Sequence, residues 1–357
     1  MRIGLVSTSA LPTPPDAYGG TELVVSELAL GLQELGHDVL LYATGDSSCP
    51  TRLVSRHAHA VWPPNDDAER EHADFAFADL SSRDVDIVHV HHAEALPFHE
   101  RVATPCVATL HHDRVDALVD RYRQFPDVSF VAISQRQAEL TPELPFAGVV
   151  HHGLDPMAHP PGRGLGGYAA FVGRFCAEKG VHDAIDASVM AGVPLLLGGV
   201  PHPLGDAQTY FLTELLPRIR NLSDRVMWLG EVRQRAKQSL LRDACALLFP
   251  VAWEEPFGLV MIEAMLMGTP VIAFGRGAVP EVVEDGVTGF IVDTPEEMAA
   301  RLRSLGNFDR ARCRERAIQR WSRTRMAAEY VAVYEEVTRS RRSGERRIGR
   351  GNALDAA

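Results

Sequence analysis

Short apolar runs alternate along this chain with segments whose apolar residues recur at three- and four-residue spacing. That is the pattern of buried parallel strands joined by amphipathic helices. Residues 2–7 (RIGLVS) read as a first buried strand, and after a Pro- and Gly-rich loop Thr21 to Leu35 carries helical apolar spacing. Gly36 ends that helix, and HDVLLYAT supplies the next strand. The order strand, loop, helix, strand is the βαβ unit of a doubly wound sheet. DIVHVH (86–91), CVATLH (106–111) and FVAIS (130–134) predict successive central strands of the same kind.

Around PPGRGLGGY (160–168) there is little to bury and much freedom to turn, so a linker is expected there. A first domain is placed over 1–160 and a second over 167–320, where YAAFVG (168–173), PLLLGG (194–199), RVMWLG (225–230), ALLFPV (246–251) and TPVIAF (269–274) read as strands between helical stretches. A closing helix is predicted over 321–338, with Met326, Tyr330, Val333 and Tyr334 on one face. The basic, Gly-containing segment 339–357 is expected to be disordered. No repeat at a fixed solenoid period is visible.

Length supports the two-domain reading, because 357 residues exceed what one hydrophobic core usually supports, and a cleft between domains becomes plausible. Hydrophobic residues make up 46% and charged residues 23%, an ordinary globular balance. The formal charge of −11 argues against a nucleic-acid partner, which would demand a basic surface. Five cysteines, Cys49, Cys106, Cys176, Cys245 and Cys313, are widely spread and form no CxxC pair, which fits a reducing cytoplasm. MRIGLVSTSALP lacks a secretory cleavage pattern. No apolar run approaches the roughly 20 residues of a membrane span, so no integral membrane segment is expected.

The richest chemistry lies in FPVAWEEPFGLVMIEAMLMGTPVIAF, where Glu255 and Glu263 are separated by seven residues and Pro256-Phe257-Gly258 opens a helix. A strand passing through a Gly turn into a helix aims unpaired N–H groups and the positive dipole end at a bound phosphate. Glu263 lies more than one turn into that helix, within reach of a ribose diol beside the phosphates. It sits among Met261, Ile262, Ala264 and Met265, where an unpaired carboxylate is costly and a ligand is the simpler partner. In FVGRFCAEKG, Gly173 ends a strand, and Arg174 and Lys179 follow five residues apart. A guanidinium that clamps phosphate and a mobile ammonium can together neutralise a diphosphate without a metal. Gly19-Gly20 at the start of the first helix lets a ligand approach the backbone closely. The 15 histidines, clustered in HVHH (89–92), HHD (111–113) and HH (151–152), raise a metal-hydrolase reading. No acidic ligand follows them at a recognisable spacing. His111 stands at the carboxyl edge of a strand, where α/β proteins bind ligands.

These segments resemble the family 4 glycosyltransferases of the GT-B architecture over nearly the whole length. The motifs that carry the likeness are YGGTE (18–22), ATLHHD (108–113), VAIS (131–134), VVHHGLDP (149–156), VGRFCAEKG (172–180), EPFGLVMIEAMLMGTPVIA (255–273) and EDGVTGFIV (284–292). The resemblance implies two Rossmann-like domains facing a cleft, with the closing helix returning to the first domain. It implies a retaining transfer from a nucleoside diphosphate sugar to a hydroxyl acceptor, with no cofactor and no metal. Arg174 and Lys179 would hold the diphosphate, Glu263 the ribose and Glu255 the donor-sugar hydroxyls. The backbone amides of Phe257, Gly258 and Leu259 would bind sugar or phosphate, and Gly19, Gly20 and Gly173 would line the diphosphate. His111 would lie against the donor sugar. Contacts around Gly230 to Val232 would read the base, with UDP preferred and GDP the alternative. His152, where the family often has Asn, and GRGAVPE (275–281) depart from the family pattern.

Two other functions share this architecture. A nucleotide-sugar epimerase would place acid and base groups at the sugar and need no acceptor. A silent sugar-nucleotide binding protein would show erosion of the cations or the glutamates, and none is missing.

Overall fold

The computed structural model describes residues 1–201 and 205–354, with the backbone alone for 342–354. The chain forms two compact units. One comprises Met1–Pro15, Gly19–Gly153 and the segment from Arg323 onward, and the other comprises Asp16–Tyr18 and Leu154–Ser322.

Among the described residues, the first unit holds seven strands: β1 (Arg2–Val6), β2 (Asp38–Tyr42), β3 (Arg52–Val54), β4 (Ile87–Val90), β5 (Cys106–Thr109), β6 (Ser129–Ala132) and β7 (Phe146–Val149). They pair in parallel in the order β3-β2-β1-β4-β5-β6-β7. β4 and β5 are buried at every residue, as expected of central strands covered on both faces. The order reverses between β1 and β4, so the loops leaving their carboxyl ends diverge and open a crevice there.

The second unit repeats the plan with β8 (Ala169–Val172), β9 (Leu195–Gly198), β10 (Val226–Trp228), β11 (Leu247–Phe249), β12 (Val271–Phe274) and β13 (Gly289–Val292). Their order is β10-β9-β8-β11-β12-β13, which puts the reversal between β8 and β11. Phe171, Phe175, Ile185, Leu197, Leu248 and Ile272 form the centre of its core. Each unit is thus a Rossmann-like α/β domain with its own crevice.

Three strands have no counterpart in the apolar pattern: β3, β7 and β13. All three are edge strands with incomplete burial, and their apolar runs stop at two or three residues, too short to mark a strand. The Gly- and Pro-rich stretch 160–168 lies inside the second unit, which begins at Leu154. Backbone bonds fasten it there, from Gly162 N–H to the Met267 carbonyl at 2.8 Å and from Gly166 N–H to the Asp243 carbonyl at 2.9 Å.

The closing helix, Arg323–Leu354, packs on the first helix, Gly20–Glu34. Arg323 Nε donates to Glu34 at 2.9 Å, and Met326, Tyr330 and Tyr334 are fully buried. The two tyrosine hydroxyls reach strand residues: Tyr334 bonds His89 Nδ1 at 2.8 Å, Tyr330 bonds Thr109 Oγ1 at 2.9 Å, and His89 Nε2 bonds Thr109 at 2.7 Å. Such a network satisfies every buried hydroxyl and fixes the helix in register. The helix runs on to Leu354, through most of the segment expected to be disordered; residues 355–357 of that segment lie outside the described ones. Its extension carries an Arg339–Glu336 ion pair at the i,i+3 spacing that supports helix.

Candidate functional site

The loops that leave β8 and β11 flank the reversal of the second sheet. After β8 the chain turns through Gly173 and Arg174 into a short 3-10 turn, Ala177–Lys179, and then the helix Val181–Ala191. After β11 it passes from Pro250 to Phe257 before the helix Leu259–Leu266. The two loops are bound to each other. Ala252 N–H donates to the Glu178 carbonyl at 2.8 Å. Gly180, at φ 68°, lies against the Pro250 carbonyl so closely that a Cβ there would sit 1.9 Å from its oxygen.

This apposition creates an ion pair that sequence spacing does not reveal. Lys179 Nζ donates to Glu255 Oε2 at 2.5 Å, and Trp253 Nε1 donates to the same oxygen at 2.8 Å. The ammonium also lies 4.7 Å from the centre of the Trp253 ring. Lys179 is therefore fixed by a carboxylate and an aromatic face, where a mobile point charge was expected, and two of its three N–H donors remain beyond the Glu255 bond. Arg174 is half-buried, and its guanidinium has no hydrogen-bond or ion-pair partner among the described residues.

The helix Leu259–Leu266 begins at Gly258, which caps it at φ 82°. Phe257 is buried behind it and meets the Trp321 ring edge-on at 5.8 Å. The Leu259 and Val260 N–H groups precede the first bond of this helix, from Met261 N–H to the Gly258 carbonyl at 3.0 Å, and carry its positive dipole end. Glu263, one turn further, is 3% exposed, and Lys237 Nζ lies 2.6 Å from it on the neighbouring helix Gln234–Asp243. The expectation that Glu263 needs a ligand to offset its burial is thereby corrected, since Lys237 supplies the charge. The altered loop 275–281 also touches the site: Ala278 N–H donates to the Glu255 carbonyl at 2.8 Å. Val232 packs on the end of β9, where a Cβ on Gly198 would lie 2.8 Å from its methyl group.

Gly19, Gly20 and His111 belong to the first unit. Gly19, at φ 144°, precedes the first helix, which starts at Gly20. His111 follows β5, and its Nε2 bonds His91 Nδ1, just past β4, at 2.9 Å. The His152 ring stacks on His111 with centroids 5.4 Å apart. Burial holds His91 and His152 well below the usual imidazole range and, with a smaller push from His112, brings His111 down to about 3. These rings are neutral at physiological pH. His91 and His111 border a cavity of ≈ 260 Å³ whose wall also includes Thr21, His92, Leu118 and Tyr122.

Nine of the residues singled out from sequence, Gly173, Arg174, Lys179, Val232, Glu255, Phe257, Gly258, Leu259 and Glu263, therefore belong to one unit and follow the carboxyl ends of its strands. Lys237 and Trp253 are additions that sequence reasoning missed, and no motif marks Lys237. His91 is a further addition, and the alternation in HVHH does signal it. Among the described residues, no three His, Cys, Asp or Glu side chains converge as a metal-binding group, and no helix is long and apolar enough to cross a membrane.

Two family descriptions match the chain in succession: Glycosyltransferase Family 4 over residues 18–157 and Glycosyl transferases group 1 over residues 166–320. A phosphatidyl-myo-inositol mannosyltransferase of Mycolicibacterium smegmatis is 26% identical over 95% of this chain and 94% of its own length. A D-inositol 3-phosphate glycosyltransferase of the same organism is 35% identical over 41% of this chain and 36% of its own. Among solved structures, a glycosyltransferase involved in avilamycin A biosynthesis superposes with a TM-score of 0.75 at 24% identity, covering 95% of this chain and 98% of that one. Anabaena HepE, solved with UDP and glucose, gives 0.72 at 20% identity, covering 94% and 99%. The fold is GT-B, two Rossmann-like units with sheets of seven and six strands. The chain belongs to glycosyltransferase family 4, and it is a glycosyltransferase.

Proposed function

We propose that the chain moves a sugar from a nucleoside diphosphate sugar, a UDP-sugar before a GDP-sugar, to a hydroxyl acceptor, with retention at the anomeric carbon and without a metal ion or cofactor. One observation carries this reading: Arg174, Lys179 and the start of the helix Leu259–Leu266 all leave β8 or β11, on either side of the sheet reversal. A guanidinium without an ion-pair partner, an ammonium with spare donors and a helix amino end together form a pyrophosphate site. Crystal structures of Anabaena HepE with UDP and with UDP-glucose support the choice of base.

In the proposed step the acceptor oxygen bonds to the anomeric carbon on the face from which the diphosphate departs. The carbon–oxygen bond breaks with its electron pair passing to the diphosphate, and the acceptor proton goes to the departing phosphate oxygen. Arg174 and Lys179 stabilise the developing charge. Glu263, oriented by Lys237, accepts from the ribose hydroxyls. Glu255, held by Lys179 and Trp253, accepts from the donor sugar. The amides of Phe257, Gly258 and Leu259 bind sugar or phosphate, Gly173, Gly19 and Gly20 admit the diphosphate, and the backbone near Val232 reads the base. His111 lies against the sugar, and a neutral ring is suited to that place because it can accept or donate without adding charge.

A thermal-shift series with UDP-glucose and GDP-mannose tests the donor site, since ligand at a hundredfold over its dissociation constant adds about 2.7 kcal/mol of stability. NMR of the product reports the anomeric configuration, and turnover in chelator reports the metal. Stabilisation by no nucleotide sugar, or an inverted anomer, overturns the reading. Turnover of donor with no acceptor present would identify an epimerase instead.

A further inference from the structure

We infer that the cavity of the first unit is the acceptor pocket and that it takes an uncharged, sparsely hydroxylated ring, of which a substituted phenol is the simplest representative. The inference rests on the transferase reading above and names its acceptor class.

Size sets the first limit. A dry cavity of about 150 Å³ accepts benzene, so the ≈ 260 Å³ here suits one ring with small substituents. Charge sets the second. Among the described residues no Lys, Arg, Asp or Glu lines the wall. The cations that flank it in sequence are engaged elsewhere: Arg121 pairs with Glu94, and Arg114 forks onto Glu143 at 2.8 and 2.9 Å. A phosphate or carboxylate entering this pocket would lose its hydration and meet no counter-charge.

The polar groups on the wall set the third limit. Leu96, Ala108, Leu110 and Leu118 make most of it apolar. Against them, His91 Nε2 and both ring nitrogens of His92 are buried without a hydrogen-bond partner among the described residues, although His92 Nδ1 lies 3.5 Å from the Glu69 carboxylate. His91 is 4% exposed. His91 Nε2, the His92 ring and Thr21 leave few polar partners on the wall, enough for one or two hydroxyls. A hexose would bring more, each costing about 1–3 kcal/mol if left unmade. Burial also pushes the His92 imidazole down to about 3, so it offers neutral donors and acceptors and no positive charge. Tyr122, whose hydroxyl is bonded to His112 Nε2 at 2.6 Å, presents its ring and not a free hydroxyl.

The test is equilibrium binding by titration calorimetry without donor, using 4-methylphenol, 4-methylphenyl phosphate and methyl glucoside. The phenol is expected to bind at least about tenfold tighter than either of the others. Leu118, half-buried on the wall, provides two variants. Leu118→Trp should abolish phenol binding while the UDP-glucose thermal shift persists, and Leu118→Arg should turn the preference toward the phosphate ester. Tighter or equal binding of the ester or glucoside by the unmodified protein, phenol binding indifferent to both variants, or no phenol binding overturns the inference. Donor stabilisation without phenol binding sinks this inference alone. Phenol binding without donor stabilisation sinks the transferase reading instead.

Discussion

Lys237 and Glu263 face each other across two helices of the second unit, 2.6 Å apart, with side chains 13% and 4% exposed. The pair resolves a conflict in the sequence, where a carboxylate is set among Met261, Ile262 and Met265. Removing one partner of such a pair leaves the other charged and desolvated. Lys237→Met should therefore cost about 3 kcal/mol in urea denaturation. Lys237→Met combined with Glu263→Leu should recover most of that stability, while donor KM stays raised because the proposed ribose contact is gone. Recovery of donor affinity in the double variant would remove Glu263 from the site.

Arg174 is the opposite case, half-buried and without an ion-pair partner among the described residues. A substitution that removes no hydrogen bond or ion pair leaves stability within about 0.5 kcal/mol. Arg174→Ala should thus unfold at the same denaturant concentration as the unmodified protein and lose about 10²–10³ in kcat. A loss of stability with turnover intact would assign Arg174 to the fold.

Gly180 joins the loops after β8 and β11, and its position makes a graded prediction. Gly192 has a similar φ of 71°, but nothing lies within 4 Å of a Cβ built on it. Gly192→Ala should cost about 1–2 kcal/mol, the strain of a left-handed alanine. Gly180→Ala adds a collision with the Pro250 carbonyl and should cost more than about 3 kcal/mol. Because that carbonyl precedes Trp253 and Glu255, a folded Gly180→Ala protein should also show a raised donor KM.

Acid should unfold the protein early. Burial holds His72 down to about 4 and His92 down to about 3, and keeps His89, His91 and His152 well below the usual range. An unfolded imidazole titrates near about 6.5. Between there and about pH 4 the unfolded chain binds protons that the folded one refuses, so stability is present above pH 6.5 and lost as pH falls. Glu69 acts the other way, since burial pushes its carboxyl up to about 7 and the fold loses stability as pH rises from the ordinary carboxylate range to that value. Burial raises the Glu22 and Asp183 carboxyls in the same sense as Glu69, and the more numerous buried imidazoles prevail over these three. Denaturation at pH 5 and pH 7.5 should show the decline, and His72→Leu should reduce its slope by up to about 1.4 kcal/mol per pH unit.

Much of this was legible from residues alone. The central strands were visible because both faces of β4, β5, β8 and β11 are buried, so their apolar runs are continuous. The edge strands β3, β7 and β13 were not, because their apolar runs stop at two or three residues. Gly173, Arg174, Lys179, Glu255, Gly258 and Glu263 could be picked out because residues that leave strand ends through glycine turns are local in sequence.

Hydrophobic periodicity and glycine turns are short-range properties, so the order of residues was enough to set the core strands and helices and the residue types at their carboxyl ends. Tertiary structure alone decided that Lys179 pairs with Glu255, 76 positions away, and that Lys237 pairs with Glu263. It alone gathered His91, His92 and His111 around one cavity. Those contacts depend on the order of strands in the sheets, and strand order brings together loops whose separation along the chain carries no periodic signal.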